Sequence, residues 1–556
     1  MHSYIPELKK QYQEGKISRR EFMRNAALLG LSLGGISSFL SGCGPEETAS
    51  PTSAPAATTA PTAAAAPTLA ATEAAGMPKR GGEIVLTEVL RRLDDPHAAA
   101  WQEWNMYMHV NEFLIRMNPD NVAEPWLLER WEPSEDLMTW TLHLREGINF
   151  ADGREFKADA VVWNIRRWLD PDVGSSAVGT MGGYLQPENV TEIDDYTVEL
   201  KLDIPQIAVA EHITANPILH PDFEGNWTEN PIGTGPYTLE EYIVEERALL
   251  KRRDGYWRMG ADGEPLPYID AIRFIHLGED QAAIVAALNT GEADLARIRP
   301  VSAEELNDDV TIASTVSAYT SVIRMRADKE PFDKIPVRNA IKACQDRTQI
   351  LEATMRGYGG TEAEDHHVAP IHPAYCPMDV PERDIEKAKA LLAEAGYEDG
   401  LELTLSVIDA EPDRTIAQLL KQQCEPAGII INLDMMPPSL YWDQWLEVDF
   451  GITGWSHRAL APMVLNLAYK TGVPWNETHW SNAEFDRLVD EAAGTLDVAA
   501  RREIMCEIQT LMKEEAPVAI PRWGAYLWGH TKRVKGFRAF ALETTYLDTV
   551  WLDDAA

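Results

Sequence analysis

Cysteine is scarce: the chain of 556 residues holds five. They form no CxxC pair and follow no regular spacing, which excludes a zinc framework and a disulfide-dense scaffold. Positive charge is also short. Only 50 Lys and Arg stand against 88 Asp and Glu, for a formal net charge of -38, so nucleic acid and anionic membrane surfaces would be repelled. No apolar run is long enough to span a bilayer. The most apolar stretch near the start, Ala26 to Leu40, is too short for ~30 Å of hydrocarbon and is broken by Gly30, Ser32, Gly34, Gly35, Ser37 and Ser38. Gly-x-Ser-x-Gly, His-Glu-x-x-His and a GxGxxG between strand and helix are all missing. Acids are so abundant that sequence proximity nominates no pair for glycoside hydrolysis. An enzyme is therefore poorly supported.

What is present begins with a leader. Ser18-Arg19-Arg20-Glu21-Phe22-Met23 precedes the apolar run, which closes on Leu40-Ser41-Gly42-Cys43. A charged region, an apolar region and small residues before a cysteine are the parts of a cleaved export signal. The arginine pair resembles a twin-arginine signal, whose pathway carries folded proteins, and Leu-Ser-Gly-Cys resembles a bacterial lipobox. Residues 1–42 are then expected to be removed, leaving Cys43 lipidated as the membrane anchor of a periplasmic or cell-surface lipoprotein. Residues 43–78 read as an Ala/Pro/Thr-rich tether, because such a composition buries too little apolar surface to offset the entropy of ordering.

From Lys79 onward the composition is that of a globular protein, too long for one hydrophobic core. The pattern is mixed α/β. Trp140, Leu142 and Leu144 alternate with polar residues as in a half-buried strand, as do Leu401, Leu403 and Leu405. Asp384 precedes a helical stripe that stops at Gly396, and Ser481 with Glu484 reads as a capping box. Segment 385–435 reads helix, strand, helix, strand, the rhythm of a sheet covered by crossover helices.

Asn230-Pro231-Ile232-Gly233-Thr234-Gly235-Pro236-Tyr237 resembles the signature loop of the large extracytoplasmic solute-binding proteins of peptide and nickel ABC importers. Five further landmarks follow the same order. They are Thr139–Gly147 with Phe150-Ala151-Asp152-Gly153, then Lys251–Trp257, Gly291–Leu295, Pro331-Phe332-Asp333 with Val337–Ile341, and Ala388–Tyr397. The resemblance implies a bilobed α/β fold, type II with an extra subdomain on the first lobe. Lobe I is expected over 79–108, 228–298 and 517–556, the subdomain over 109–227 and lobe II over 299–516. It implies a body that is monomeric, needs no cofactor, encloses a peptide or peptide-like solute and delivers it to a permease with its ATPase. A sensor or adhesin on the same scaffold is the alternative. In the signature loop itself the glycines are expected to permit positive φ, with Pro236 fixing a tight crossing.

One departure is informative. Where peptide-binding relatives carry Gly-Trp, two residues and an aspartate for the peptide amine, this chain has Gly454-Trp455-Ser456-His457-Arg458. An arginine repels an ammonium and favours carboxylate, phosphate or carbonyl. Trp455, Ser456, His457 and Arg458 are expected to line the cleft, against the alternative that Arg458 turns outward to a surface acid. By position in the family pattern, Glu88 and Val89 follow the first strand into the cleft, and Tyr319 and Thr320 meet it from lobe II. Tyr184, Trp442 and Trp523 are candidate aromatic walls, each with packing as the competing role. His366, His367, His372 and Cys376 form a group of metal-capable side chains, but Pro370 and Pro373 suggest a solvated or cleft-rim loop, so no metal is assigned. A nickel-chelate carrier stays open as a variant of the same fold.

Overall fold

A computed structural model describes residues 4–29, 77–99 and 104–554. Cys43 and most of the tether lie outside these residues. Among the described residues no helix is long and apolar enough to cross a membrane.

Three sheets organise the body. The largest has seven strands, in the order Val310–Val316, Ala525–Thr531, Leu295–Ile298, Glu83–Thr87, Ala271–Ile275, Arg247–Arg252, Tyr237–Ile243. Its centre is parallel, with Glu83–Thr87 between Ala271–Ile275 and Leu295–Ile298. Helix Gln281–Thr290 provides the crossover between those outer two. Alternation along the first strand puts Ile84 and Leu86 inside with Ile272, Phe274 and Leu295.

The second sheet has five strands, in the order Ile429–Met436, Leu401–Ile408, Phe450–Trp455, Thr320–Met325, Val518–Ala519. Helices Ile385–Glu394 and Asp413–Cys424 alternate with its parallel strands, as the periodicity of 385–435 implies. Asp384 caps the first helix by accepting from Lys387 N–H, and Gly428, at φ 86°, ends the turn after the second. The cap near 481 shifts by one residue. Asn482, not Ser481, accepts from Glu484 and Phe485 N–H, at 3.0 Å each, and Ser481 instead pairs with the Thr471 hydroxyl.

The third sheet is antiparallel, in the order Leu128–Pro133, Thr139–Leu144, Thr197–Leu202, Leu185–Asp194. Trp140, Leu142 and Leu144 face inward under helix Ala158–Trp168, in a core that also holds Trp131 and Trp168.

Strand pairing moves the lobe boundaries. Val310–Val316 belongs to the lobe I sheet and Val518–Ala519 to the lobe II sheet. The chain therefore crosses near 317–319 and 520–524, rather than at 299 and 517. Backbone pairing, which sequence pattern does not report, decides this. The two connecting segments lie side by side: Ser317 N–H donates to Gly524 O (3.1 Å) and Gly524 N–H to Tyr319 O (2.7 Å).

The signature loop is a tight crossing for a different reason than positive φ. Neither Gly233 nor Gly235 has positive φ. A Cβ at Gly233 would instead sit 1.9 Å from Val110 O, and one at Gly235 2.6 Å from His109 O. Absence of a side chain, not backbone handedness, is what the crossing requires. Cys376 and Cys506 form a disulfide, while Cys344 and Cys424 are free and buried.

Residues 4–29 form a helical hairpin, Ile5–Gln13 and Arg19–Leu28, with Ser18 and Glu21 in a reciprocal capping box. It lies on the body across the seam between subdomain and lobe II. Phe22 and Ala26 cluster with Val122 and Val498. Buried Arg24 donates to Asp120 O (3.0 Å) on one side of the seam and to Ile371 O on the other.

Candidate functional site

The lobes meet on either side of the two connecting segments, and the two meeting places differ in how full they are.

The first is the seam at residues 455–458. Strand Phe450–Trp455 ends with Trp455 turned into lobe II, where its indole N–H donates to Glu477 (2.9 Å). Glu477 is buried, also accepts from the Thr453 hydroxyl (2.7 Å), and pairs with buried Arg324 (3.2 Å). Charge pairing below the loop thus commits the tryptophan to packing. His457 is buried and bridges the lobes. Its Nδ1 accepts from Ala318 N–H (3.0 Å), so Nε2 carries the proton and donates to Asn121 Oδ1 in the subdomain (2.9 Å). Burial holds its pKa well below the ordinary value, so the ring is neutral.

Arg458 is partly buried and does not face outward to a surface acid. It donates from Nη1 to its own loop, to His457 O (3.0 Å) and Ser456 O (3.5 Å), and burial draws its pKa down to about 10. His372 Nδ1 accepts from Ala369 N–H, which leaves its Nε2–H to meet Arg458 O at 3.0 Å. The space beside Arg458, His212, Glu211 and Leu542 is only about 30 Å³, room for about one water. Burial raises the Glu211 carboxyl to about 8. Tyr184 reaches this neighbourhood through its hydroxyl, 2.7 Å from His212 Nδ1, but its ring belongs to the subdomain core.

The histidine-rich segment is not the solvated or cleft-rim loop its prolines suggest. His366, His367 and His372 are buried, not on a solvated loop. Asp365 fastens it inside: its carboxylate pairs with Arg347 and accepts from Gln345 (3.1 Å) and Ile520 N–H (3.0 Å). Cys376 is taken by the disulfide, and among the described residues no three His, Cys, Asp or Glu side chains are grouped to hold a metal ion.

The second meeting place is hollow. A cavity of about 320 Å³ opens beside the connecting segments. Tyr319 and Arg522 face it from those segments, Arg297 and Tyr526 from lobe I, and Met355 and Glu411 from lobe II. The Tyr319 and Tyr526 rings stack at 5.4 Å, with the Arg297 guanidinium 5.5 Å from the Tyr526 ring. Gly524 is what lets Tyr319 lie there, since a Cβ on it would approach the ring to 2.4 Å. Arg297 also pairs with Glu543. Nearby, the Glu88 carboxylate accepts from Val89 N–H (3.1 Å) and Asn105 (3.0 Å), and burial raises it to about 7.

The profile of the bacterial extracellular solute-binding proteins, family 5 Middle, matches residues 122–476, most of the chain. The chain belongs to that family. Heme-binding protein A of Haemophilus influenzae is 27% identical over 447 residues, covering 71% of this chain and 78% of that protein. Dipeptide-binding protein DppE of Bacillus subtilis is 24% identical over 497 residues, covering 82% and 88%. Among solved structures, the periplasmic binding protein DppA of Helicobacter pylori, in complex with peptide STSA, superposes with a TM-score of 0.73 at 20% identity. It covers 86% of this chain and 99% of that one. The bilobed fold is thereby shared.

Within that fold the structure brings Tyr319 to the cavity and Ser456, His457 and Arg458 to the seam. Val89 holds the Glu88 carboxylate through its backbone N–H. Thr320 is buried and donates to Arg522 O (2.6 Å), a structural role. Trp523 is buried in the lobe II core against His367, and Trp442 is half exposed beside Tyr441 and Trp445. Neither lines the cavity. Sequence reading missed Arg522, Arg297, Tyr526 and Asn121. Arg522 sits on the returning connection and Tyr526 at the start of the strand that follows it, so only knowledge of the second crossing point could have found them.

Proposed function

We propose that this protein is the solute-capturing component of an ABC importer, held at the membrane by lipid on Cys43. It takes a small solute between its two lobes and presents the closed form to a permease whose ATPase drives uptake. The body acts as a monomer and performs no chemistry on the solute. The observation that carries this reading is the hollow at the interlobe connection, walled by both lobes of a fold shared with solute-binding proteins. A site assembled from two separately folded lobes couples occupancy to closure, because a ligand shifts the equilibrium by its greater affinity for the closed state.

The leader supports export as a folded chain, and Cys43→Ser is expected to release the body from the membrane. Membrane retention of that variant at the original level contradicts the lipid anchor. Relatives are named for heme and for dipeptides, so the solute class has to be read from this chain's own cavity. The central test is mass spectrometry of the small molecule released on denaturing protein purified from its own envelope. The expected result is one solute in near-stoichiometric amount, whose return raises the melting temperature. Chemical turnover of that solute, or its failure to stabilise the protein, overturns the reading.

A further inference from the structure

We propose that the cavity at the interlobe connection is an anion pocket anchored by Arg522, so that the solute is a small organic anion presenting a carboxylate or phosphate. This rests on the solute-capture reading and adds the class of solute to it.

Arg522 is 0% exposed, and among the described residues none of its three guanidinium nitrogens has a hydrogen-bond partner. Its backbone is fixed by pairing with Glu362 and by the Thr320 hydroxyl on its carbonyl. Its guanidinium lies 5.2 Å from the Tyr319 ring. A buried charge left in this state is costly unless something completes it. The acids nearby are engaged elsewhere. Asp413 accepts the Ser321 hydroxyl at 2.6 Å, and Glu411 accepts from the Thr415 hydroxyl (2.6 Å) and Arg414 (3.4 Å). The other arginines on the cavity wall already hold carboxylates. Arg297 pairs with Glu543, Arg299 with Glu279 (3.2 Å) and Arg356 with Glu304 (3.2 Å). Among the described residues, Arg522 is the cation of this group that has none.

The rest of the cavity fits the remainder of such a solute. A planar guanidinium presents a fork of donors that matches carboxylate or phosphate oxygens. The stacked Tyr319 and Tyr526 rings offer an apolar face to the carbon skeleton. A space of about 320 Å³ equals about ten waters of liquid volume, which suits a metabolite-sized acid better than a long peptide. In a chain of net charge -38, three of the four wall arginines are neutralised by their own carboxylates, so the charge that favours an anion here is that of Arg522. Because Arg522 and Tyr319 belong to the two connecting segments, an anion bound there touches the parts that must move when the lobes close.

The test is calorimetric titration of the full chain with succinate, citrate and glycerol phosphate, and with dimethyl succinate as the uncharged counterpart. At least one anion is expected to bind saturably at constant ionic strength, and the ester is not. Arg522→Gln should weaken that anion on the order of thirtyfold, whereas the surface variant Arg487→Gln should leave it unchanged. Should the Gln variant fail to fold, Arg522→Lys carries the test, since it keeps the charge and loses the fork. Absence of binding by every anion, equal binding of acid and ester, or full affinity in the folded Arg522 variant overturns the proposal. If the solute released from the purified protein is uncharged and still binds the Arg522→Gln variant, the anion pocket fails while solute capture stands. A protein that retains no solute and gains no stability from its envelope extract loses both.

Discussion

Two arginines at the lobe interface make opposite use of the same side chain. Arg458 spends its donors on carbonyls of its own loop, in a seam with room for little more than a water. Arg522, fully buried where Arg458 is only partly so, has no hydrogen-bond partner among the described residues and faces a hollow ten times larger. A satisfied buried cation stabilises the fold that holds it, whereas an unsatisfied one costs stability until a ligand arrives. In the proposed reading the seam holds the lobes in register and the hollow receives a solute.

The sharpest way to break this comparison is to remove the unsatisfied charge. Arg522→Met is expected to stabilise the empty protein by about 1–4 kcal/mol, the range seen when buried charge is exchanged for apolar side chains. A fall in melting temperature would show that Arg522 is structural after all. Next in size is the carboxylate beside Arg458. Burial raises Glu211 to about 8, above the ~4.3 of an unfolded chain. Between those values the native state holds a proton that the unfolded chain has lost. Stability should therefore fall as pH rises through this window, with the cost complete above pH 8. Glu211→Gln should flatten that slope and raise stability at pH 9, read from denaturant melts across pH. An unchanged slope would place the titration elsewhere.

A smaller effect is expected at Arg458. Arg458→Ala should lose about 1–3 kcal/mol of stability with its loop hydrogen bonds, visible as a lower midpoint without solute. If stability holds and only solute affinity falls, the two arginines have exchanged roles. Smallest is the contact across the seam. Asn121→Gly removes the acceptor of His457 Nε2–H without straining a backbone at φ 57° and should cost about 1 kcal/mol. Its signature is a larger radius of gyration for the empty protein, and an unchanged radius would mean that His457 does not hold the lobes together.

Much of the fold was legible before any coordinates. Periodicity located the strands at 139–144 and 401–408 and the helix after Asp384, because each buries one face and so writes its period into the sequence. The signature loop marked a crossing, though its glycines answer to the backbone of Val110 rather than to positive φ. The site was less legible. Trp455 and Trp523 look like cleft aromatics in sequence, yet a buried Glu477 and the lobe II core claim them. The histidine segment looks like an exposed loop because of its prolines, and Asp365 pulls it inside through contacts far away in the chain. Arg522 carries no local signal at all. Its meaning comes from strand pairing that sets Tyr319 and Tyr526 beside it and from nearby acids that are bonded to other groups.

Small-angle X-ray scattering, taken alongside calorimetry on the same samples, tests lobe closure most directly. The solute released from the purified protein is removed and then returned. The expected result is a saturable fall in the radius of gyration that follows the binding isotherm, with Arg522→Gln requiring far more solute for the same compaction. Calorimetric binding with an unchanged scattering profile would contradict it, since the solute would then be held without the lobes closing.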